Sequence, residues 1–419
     1  MSLAKTAAVA IDGGDLPLGG GLLALIRPAL QLLEPGGVLA ILSRSPQLQD
    51  DLAAWCRIEH HKYLGPESSR AESSSGESSR HLIERGDLGI PYANCEDNES
   101  PKGRSLNVAE SLARCPMPAE ADPGTGFAPR GAFVEPGGPV YPVSLLTRDL
   151  VAAPDIGGLY DQSVGAVWDA NTDIPWDKVK RLPPELEAAV GQVMTFLAEN
   201  ELSALYVPSK FISRIHPDYA EVAMFLATQL SDEARHIDVF LRRARIFGRL
   251  GVSSATTSRS LLSLLELEDF TEAAFLLSVL GEGTFLDLLR FIERYAPDEA
   301  TAELTRRARN DETRHVHFGL SHVRNALTHN PGLYGQLENA VRRRSASLAS
   351  AGGVPAPIQD ALTVLAAGGT EPHRIGEGHD RFRELLADMH ENRIKRLRNA
   401  GFTAEQAATL SDLHTPNFM

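Results

Sequence analysis

At 419 residues the chain is longer than one hydrophobic core usually fills, so two domains are expected. Its 55 Asp and Glu against 41 Lys and Arg give a net charge of −14, which excludes recognition of nucleic acid or of an anionic membrane by broad positive charge. No uncharged apolar run reaches the ~20 residues that a membrane helix needs. The most apolar stretch, Thr271 to Leu289, is interrupted by Glu272, Glu282 and Asp287. Cys56, Cys95 and Cys115 form no Cys-x-x-Cys pair, so neither a disulfide framework nor a thiolate zinc site is expected. With no basic-then-apolar leader either, the chain reads as reduced and cytoplasmic.

In chain order, Thr6 to Ile11 is compatible with a strand. Leu22, Leu23, Ile26, Leu30 and Leu33 then recur at helical spacing until Pro35-Gly36-Gly37 stops the helix. Val38 to Leu42 reads as a buried strand, Asp50 to His60 as an amphipathic helix, and His81 to Arg85 as a closing strand. This β-α-β-α-β order predicts a small two-layer α/β domain over residues 1–87. Within it, seven of the twelve residues from Ser68 to Ser79 are serine, which predicts a mobile loop. Residues 88–159 hold ten of the 26 prolines and little periodicity, and read as an extended connector wrapping over the second domain. From Pro183 onward the signature changes to long helices. Leu186, Val190, Val193, Leu197 and Leu205 share one helix face with Glu201. Further helices are predicted near 219–249, 259–296, 298–328, 333–349 and 380–399, so residues 160–419 are expected to form an all-α bundle.

The first domain resembles the TusA-like sulfur carriers over roughly residues 5–87. The likeness rests on Ala29-Leu30, Glu34-Pro35-Gly36-Gly37, Val38 to Leu42, Asp51-Leu52-Ala53-Ala54-Trp55-Cys56, His61 and Leu64-Gly65. That family works through a Cys-Pro pair at the start of its first helix. Here Gly19, Gly20 and Gly21 hold that place, so persulfide relay by the usual thiolate is excluded. Cys56 is read as core filling rather than a replacement nucleophile.

The strongest signal occurs twice. Asp232-Glu233-Ala234-Arg235-His236 and Asp311-Glu312-Thr313-Arg314-His315 share the pattern D-E-x-R-H. Glu and His three apart project from one helix face about a turn apart, so both can ligate one metal ion. Of 13 histidines only these two have Glu three residues earlier, which sets the pair apart from chance or from salt-bridged surface helix. Each motif has an acidic partner upstream: Glu201, 32 residues before Glu233, and Glu282, 30 residues before Glu312. An unpaired carboxylate at Glu282, in a run of Phe, Leu and Val, would cost several kcal/mol, and a metal ion removes that cost. Glu199 competes with Glu201 but faces away from the Val193–Leu197 stripe.

One Glu from each of two helices and Glu-x-x-His from each of two others resembles the ferritin-like di-iron carboxylate proteins, over about residues 160–345. The resemblance implies that Glu201, Glu233, His236, Glu282, Glu312 and His315 hold two iron ions, or iron and manganese, both better suited than zinc to oxygen-rich ligation. It also implies that Asp232 and Asp311 hold the imidazoles of the opposite half. Arg235 and Arg314 are placed to pair with these aspartates or to face solvent. Trp168-Asp169-Ala170, Asp173-Ile174-Pro175-Trp176-Asp177 and His414-Thr415-Pro416-Asn417-Phe418-Met419 resemble segments of ferritin-like oxygenases. On composition alone, Trp168 and Trp176 read as packing on the outside of the bundle. His317 and His322 follow the second motif, His322 on the face of His315.

The expected function is an O2-activating non-haem di-iron oxygenase or oxidase acting on a small organic molecule by hydroxylation, N-oxygenation or desaturation. No flavin or iron–sulfur motif is present, so electrons are expected from an external donor. A second copy of the chain is a further candidate partner. The alternatives are a ferroxidase or peroxidase of the iron-storage kind, and a metal-binding protein whose first domain docks a partner. Resemblance to a radical-generating subunit like that of ribonucleotide reductase would imply a Tyr one turn after His236, where Phe240 stands here.

Overall fold

A computed structural model describes residues 6–67, 78–87, 106–132, 134, 137–348 and 354–414. The chain divides into two compact units, Met1–Cys95 with Thr125–Pro139, and Glu96–Gly124 with Val140–Met419.

In the first unit, β1 (Val9–Asp12), α1 (Leu23–Gln31), β2 (Val38–Ser43), α2 (Leu48–Ile58), β3 (Lys62–Pro66) and β4 (Ser79–Glu84) form a four-stranded sheet of order β1-β2-β4-β3 with two helices. β1 runs parallel to β2, and β4 pairs antiparallel with both β2 and β3. Leu22 at the cap of the first helix, Ile26 and Leu30 within it, and Leu48, Leu52, Trp55 and Cys56 from the second share one buried core with Leu39, Ile41 and Ile83. The expected three strands are therefore four. Lys-Tyr-Leu-Gly-Pro lacks a strand signature because of its Gly and Pro, but at an edge the missing proline N–H is not needed. A register shift at Tyr63/Gly65, with Gly65 at φ 99°, completes the irregularity. The serine-rich stretch lies outside the described residues apart from its last two. Cys56 is a free, buried thiol, and burial pushes it up to about 12. Cys115 is disulfide-bonded. This corrects the expectation of no disulfide: an odd count requires only one unpaired cysteine, and cysteine usage no longer argues for a reducing compartment.

The second unit is helical. Part of the predicted connector belongs to it as folded structure rather than as an extended wrap. α3 (Val108–Ala113) carries a capping box between Asn107 and Glu110, and its first N–H groups donate to Asp161 on α4 (Ile156–Gly165). Leu145, Val151, Ala152 and Ala153 enter the main core. The long helices α5 (Pro184–Ile212) and α6 (Ala220–Ile246) pack along each other. The predicted helix 259–296 is broken. α7 (Ala255–Leu265) ends before a turn whose Asp269 accepts from the Glu272 N–H and starts α8 (Phe270–Ala274). A π-helical segment, Phe275–Glu282, then leads into α9 (Gly283–Arg294). α10 (Glu299–His329) and α11 (Leu333–Leu348) come next.

Three terminal helices complete the unit: α12 (Ala356–Ala367), α13 (Pro372–Asn399) and α14 (Ala404–Leu413). The start of α13 is hidden in the sequence by Gly376 and Gly378, poor helix formers. Gly378 is needed for packing, since a Cβ there would lie 2.3 Å from the Thr363 carbonyl oxygen. Among the described residues no helix is long and apolar enough to cross a membrane.

Candidate metal centre

Glu201 on α5, Glu233 and His236 on α6, Glu282 at the end of the π segment, and Glu312 and His315 on α10 meet inside the bundle. All six are at most 2% exposed. Ligand-capable atoms of Glu201, Glu233, His236 and Glu312 lie within 4.8 Å of one another, and so do those of Glu233, Glu282, Glu312 and His315. The two quartets share Glu233 and Glu312. Each shared carboxylate spans both imidazoles. Glu233 places its oxygens 3.2 Å from His236 Nδ1 and 3.1 Å from His315 Nδ1, and Glu312 lies 3.4 and 3.3 Å from the same two atoms. Glu201 approaches His236 Nδ1 at 3.6 Å. On the other side, Gln229 donates to Glu282 at 3.0 Å. Glu199 is elsewhere, accepting from the Ser253 hydroxyl.

Both imidazoles turn Nδ1 toward the cluster and Nε2 away. His236 Nε2 lies 3.2 Å from Asp311, and His315 Nε2 lies 3.2 Å from Asp232, each aspartate on the opposite motif. An Nε2–H donated to aspartate fixes the tautomer that leaves the Nδ1 lone pair facing inward. Arg235 and Arg314 close this frame. Arg314 reaches Asp311 at 2.6 Å and Asp232 at 3.2 Å, while Arg235 pairs with Asp232 and lies 3.6 Å from Asp311.

Trp168 corrects the reading that placed it on the outside. It is 5% exposed, and its indole N–H donates to Asp311 at 2.7 Å, under the guanidinium of Arg235. Trp176 is only half-buried and donates to the Ala170 carbonyl. His322 is a packed core residue between Thr271 and the Ala152 carbonyl. His317 sits at the surface, 2.5 Å from Asp155. Phe240 lies one turn beyond His236, ring centroids 6.3 Å apart. Of the C-terminal segment only His414 falls within the described residues; it is buried.

Without counter-ions this cluster is electrostatically costly. Burial, and then the neighbouring carboxylates, hold Glu201 and Glu282 well above the usual carboxylate range. For Glu233, burial would act in the same direction but is outweighed by His315 and His236, which draw it down to about 2. Burial disfavours charge on His236 and His315 too, yet the surrounding carboxylates raise both well above the ordinary imidazole value. Each of the four glutamates keeps one buried oxygen without a hydrogen-bond partner. Four orphaned oxygens and two imidazole Nδ1 atoms turned inward fit two divalent cations, which would take the place of the protons on those imidazoles and whose charge would balance the four carboxylates.

The π segment sets the height of Glu282. π turns are rare and recur at functional sites, because the extra residue re-aims the side chains after it. Gly319, four residues after His315, lets α10 approach this segment closely: a Cβ there would lie 2.7 Å from the Ser278 Cβ.

No family model matches the chain, and no curated protein matches it. Similar solved structures include an R2-like ligand-binding oxidase with aerobically reconstituted metal cofactor after photoconversion. It is 16% identical, with a TM-score of 0.43 over 63% of this chain and 94% of that one. A variant of an R2-like ligand-binding oxidase with an aerobically reconstituted Mn/Fe cofactor is 15% identical, with a TM-score of 0.42 and the same coverage of each chain.

Proposed function

We propose that the chain is a ferritin-like dimetal oxidoreductase that holds two iron ions, or one manganese and one iron, and uses O2 to oxidise a small organic molecule. Two quartets of buried ligands sharing Glu233 and Glu312, with four carboxylate oxygens unpartnered, carry this reading. Such a pair of ions, when bound, supplies the redox chemistry toward O2 that no side chain here can supply. The protein's own part is to hold and insulate. Glu233 and Glu312 span both positions, Glu201 and Glu282 each serve one, and Asp232 and Asp311 fix the imidazole tautomers. The near-complete burial of all six ligands restricts water. In this reading hydroxylation, N-oxygenation and desaturation are the candidate reactions, with electrons from an external donor. The first unit is read as a TusA-like scaffold without the sulfur-carrying Cys-Pro.

Six protein ligands favour retention of both ions over release of iron as a product. O2 uptake by the ferrous-loaded protein should therefore be stoichiometric with the bound metal pair. Accumulation of tens of ferric ions per chain under excess ferrous iron would transfer the assignment to iron storage.

A further inference from the structure

Among the described residues, one side-chain amide donates into the cluster: Gln229 Nε2 gives its N–H to Glu282 Oε1 at 3.0 Å. The other oxygen, Glu282 Oε2, is buried and has no hydrogen-bond partner. Gln229 is 1% exposed and precedes Glu233 on α6 by four residues, so it stands one turn from that ligand on the same face. A carboxylate that has given up its proton to a metal ion can only accept. The amide must therefore turn its N–H edge, not its oxygen, toward Glu282 when metal is bound.

The repeated motif shows that this contact belongs to one half alone. The residue four before Glu312 is Ala308, which is fully buried and has no group to donate. Glu201, the counterpart of Glu282, has His236 Nδ1 3.6 Å from its Oε1, an oxygen without a hydrogen-bond partner. A carboxylate can bind an ion through one oxygen or both. For Glu282, turning Oε1 onto the ion would break a charge-assisted hydrogen bond and leave the buried Gln229 N–H unpaired. Glu201 has no such bond to lose at Oε1, so the two terminal carboxylates are not equally free to close on their ions.

We propose that Gln229 is a positioning residue that confines Glu282 to one ligating oxygen. The ion between Glu282 and His315 is then the one that keeps a coordination position for a small ligand from outside the protein. The proposal rests on the dimetal reading above.

The test uses the full chain loaded with cobalt(II), whose visible absorption weakens as its coordination number rises, and azide as the probe. Titration should give a saturable spectral change at one azide per chain, with both cobalt ions retained. Gln229→Met keeps the size and removes the donor. It should still hold two ions but bind azide roughly tenfold more weakly, because Glu282 can then close with both oxygens. A merely structural role would lower the melting temperature or the metal content and leave the azide affinity of the loaded protein unchanged. If the variant does not fold, cobalt-loaded wild-type crystals soaked in azide give the second reading: azide on the ion beside His315, and Glu282 bound through one oxygen. No azide binding, azide on the ion beside His236, Glu282 bound through both oxygens, or equal affinity in loaded Gln229→Met would overturn the proposal. Any of these with two ions present leaves the dimetal reading standing, whereas a wild-type protein that takes up no cobalt overturns both.

Discussion

The helix turn that presents Glu233 and His236 and the one that presents Glu312 and His315 use the same residues for the same contacts. In each, the imidazole Nδ1 faces the shared carboxylates and Nε2 meets the aspartate of the other motif. Their surroundings differ. Asp311, which holds His236, accepts from Trp168, and together with His236 this draws its carboxyl below the usual range against the effect of burial. Glu282, on the His315 side, comes from a π segment and accepts from Gln229, whereas Glu201 comes from regular helix. The repeated motif therefore sets what the halves share, and segments outside it make them unequal.

The largest expected effect separates shared from unshared ligands. Glu233→Ala should lose both ions, while Glu201→Ala and Glu282→Ala should each lose one, measured as metal per chain after anaerobic ferrous loading. Equal loss in all three would erase the distinction between bridging and terminal positions. The charge balance gives a second test. In the metal-free protein the proton affinities of Glu201, Glu282, His236 and His315 are all raised, so protons compete for these side chains. Metal ions must displace them, so loading should release protons and the apparent affinity should fall as pH falls. An affinity that is flat between pH 6 and 8 (roughly the span of ordinary imidazole titration) would contradict this.

Trp168→Phe should sharpen the inequality by removing one donor from the aspartate behind His236 alone. Loss of such outer hydrogen bonds typically costs about 10- to 100-fold in metal affinity. Here it should fall on one of the two ions, seen as two separated transitions in a metal titration. Gly319→Ala tests the support of the other half. Overpacking of this kind costs about 1–3 kcal/mol, so the melting temperature should drop and loading near Glu282 should weaken before loading near Glu201. Smallest of all should be the effect of Cys56→Ser on metal content, which is expected to be nil. The wild-type Cys56 thiol should resist labelling until the protein unfolds, given its burial and its pKa of about 12.

The juxtaposition of the six candidate ligands was legible because its logic is local: Glu and His three apart, repeated, with a carboxylate in each preceding apolar helix. Trp168 was not, since its bond to Asp311 spans 143 positions and starts from an aperiodic stretch. The π segment was hidden for another reason. Phe275 to Glu282 is buried on every side, so no polar face exists from which to read a helical period. The edge strand Lys62–Pro66 and the glycine-bearing start of α13 show the same limit, where tertiary contacts override weak local preference.

The central claim, that two ions sit between these six side chains, is tested most directly by anomalous diffraction at the iron edge from crystals grown after anaerobic ferrous loading. Two peaks are predicted, one among Glu201, Glu233, His236 and Glu312 and the other among Glu233, Glu282, Glu312 and His315. A single peak, a peak outside these residues, or none in a well-ordered bundle would contradict it.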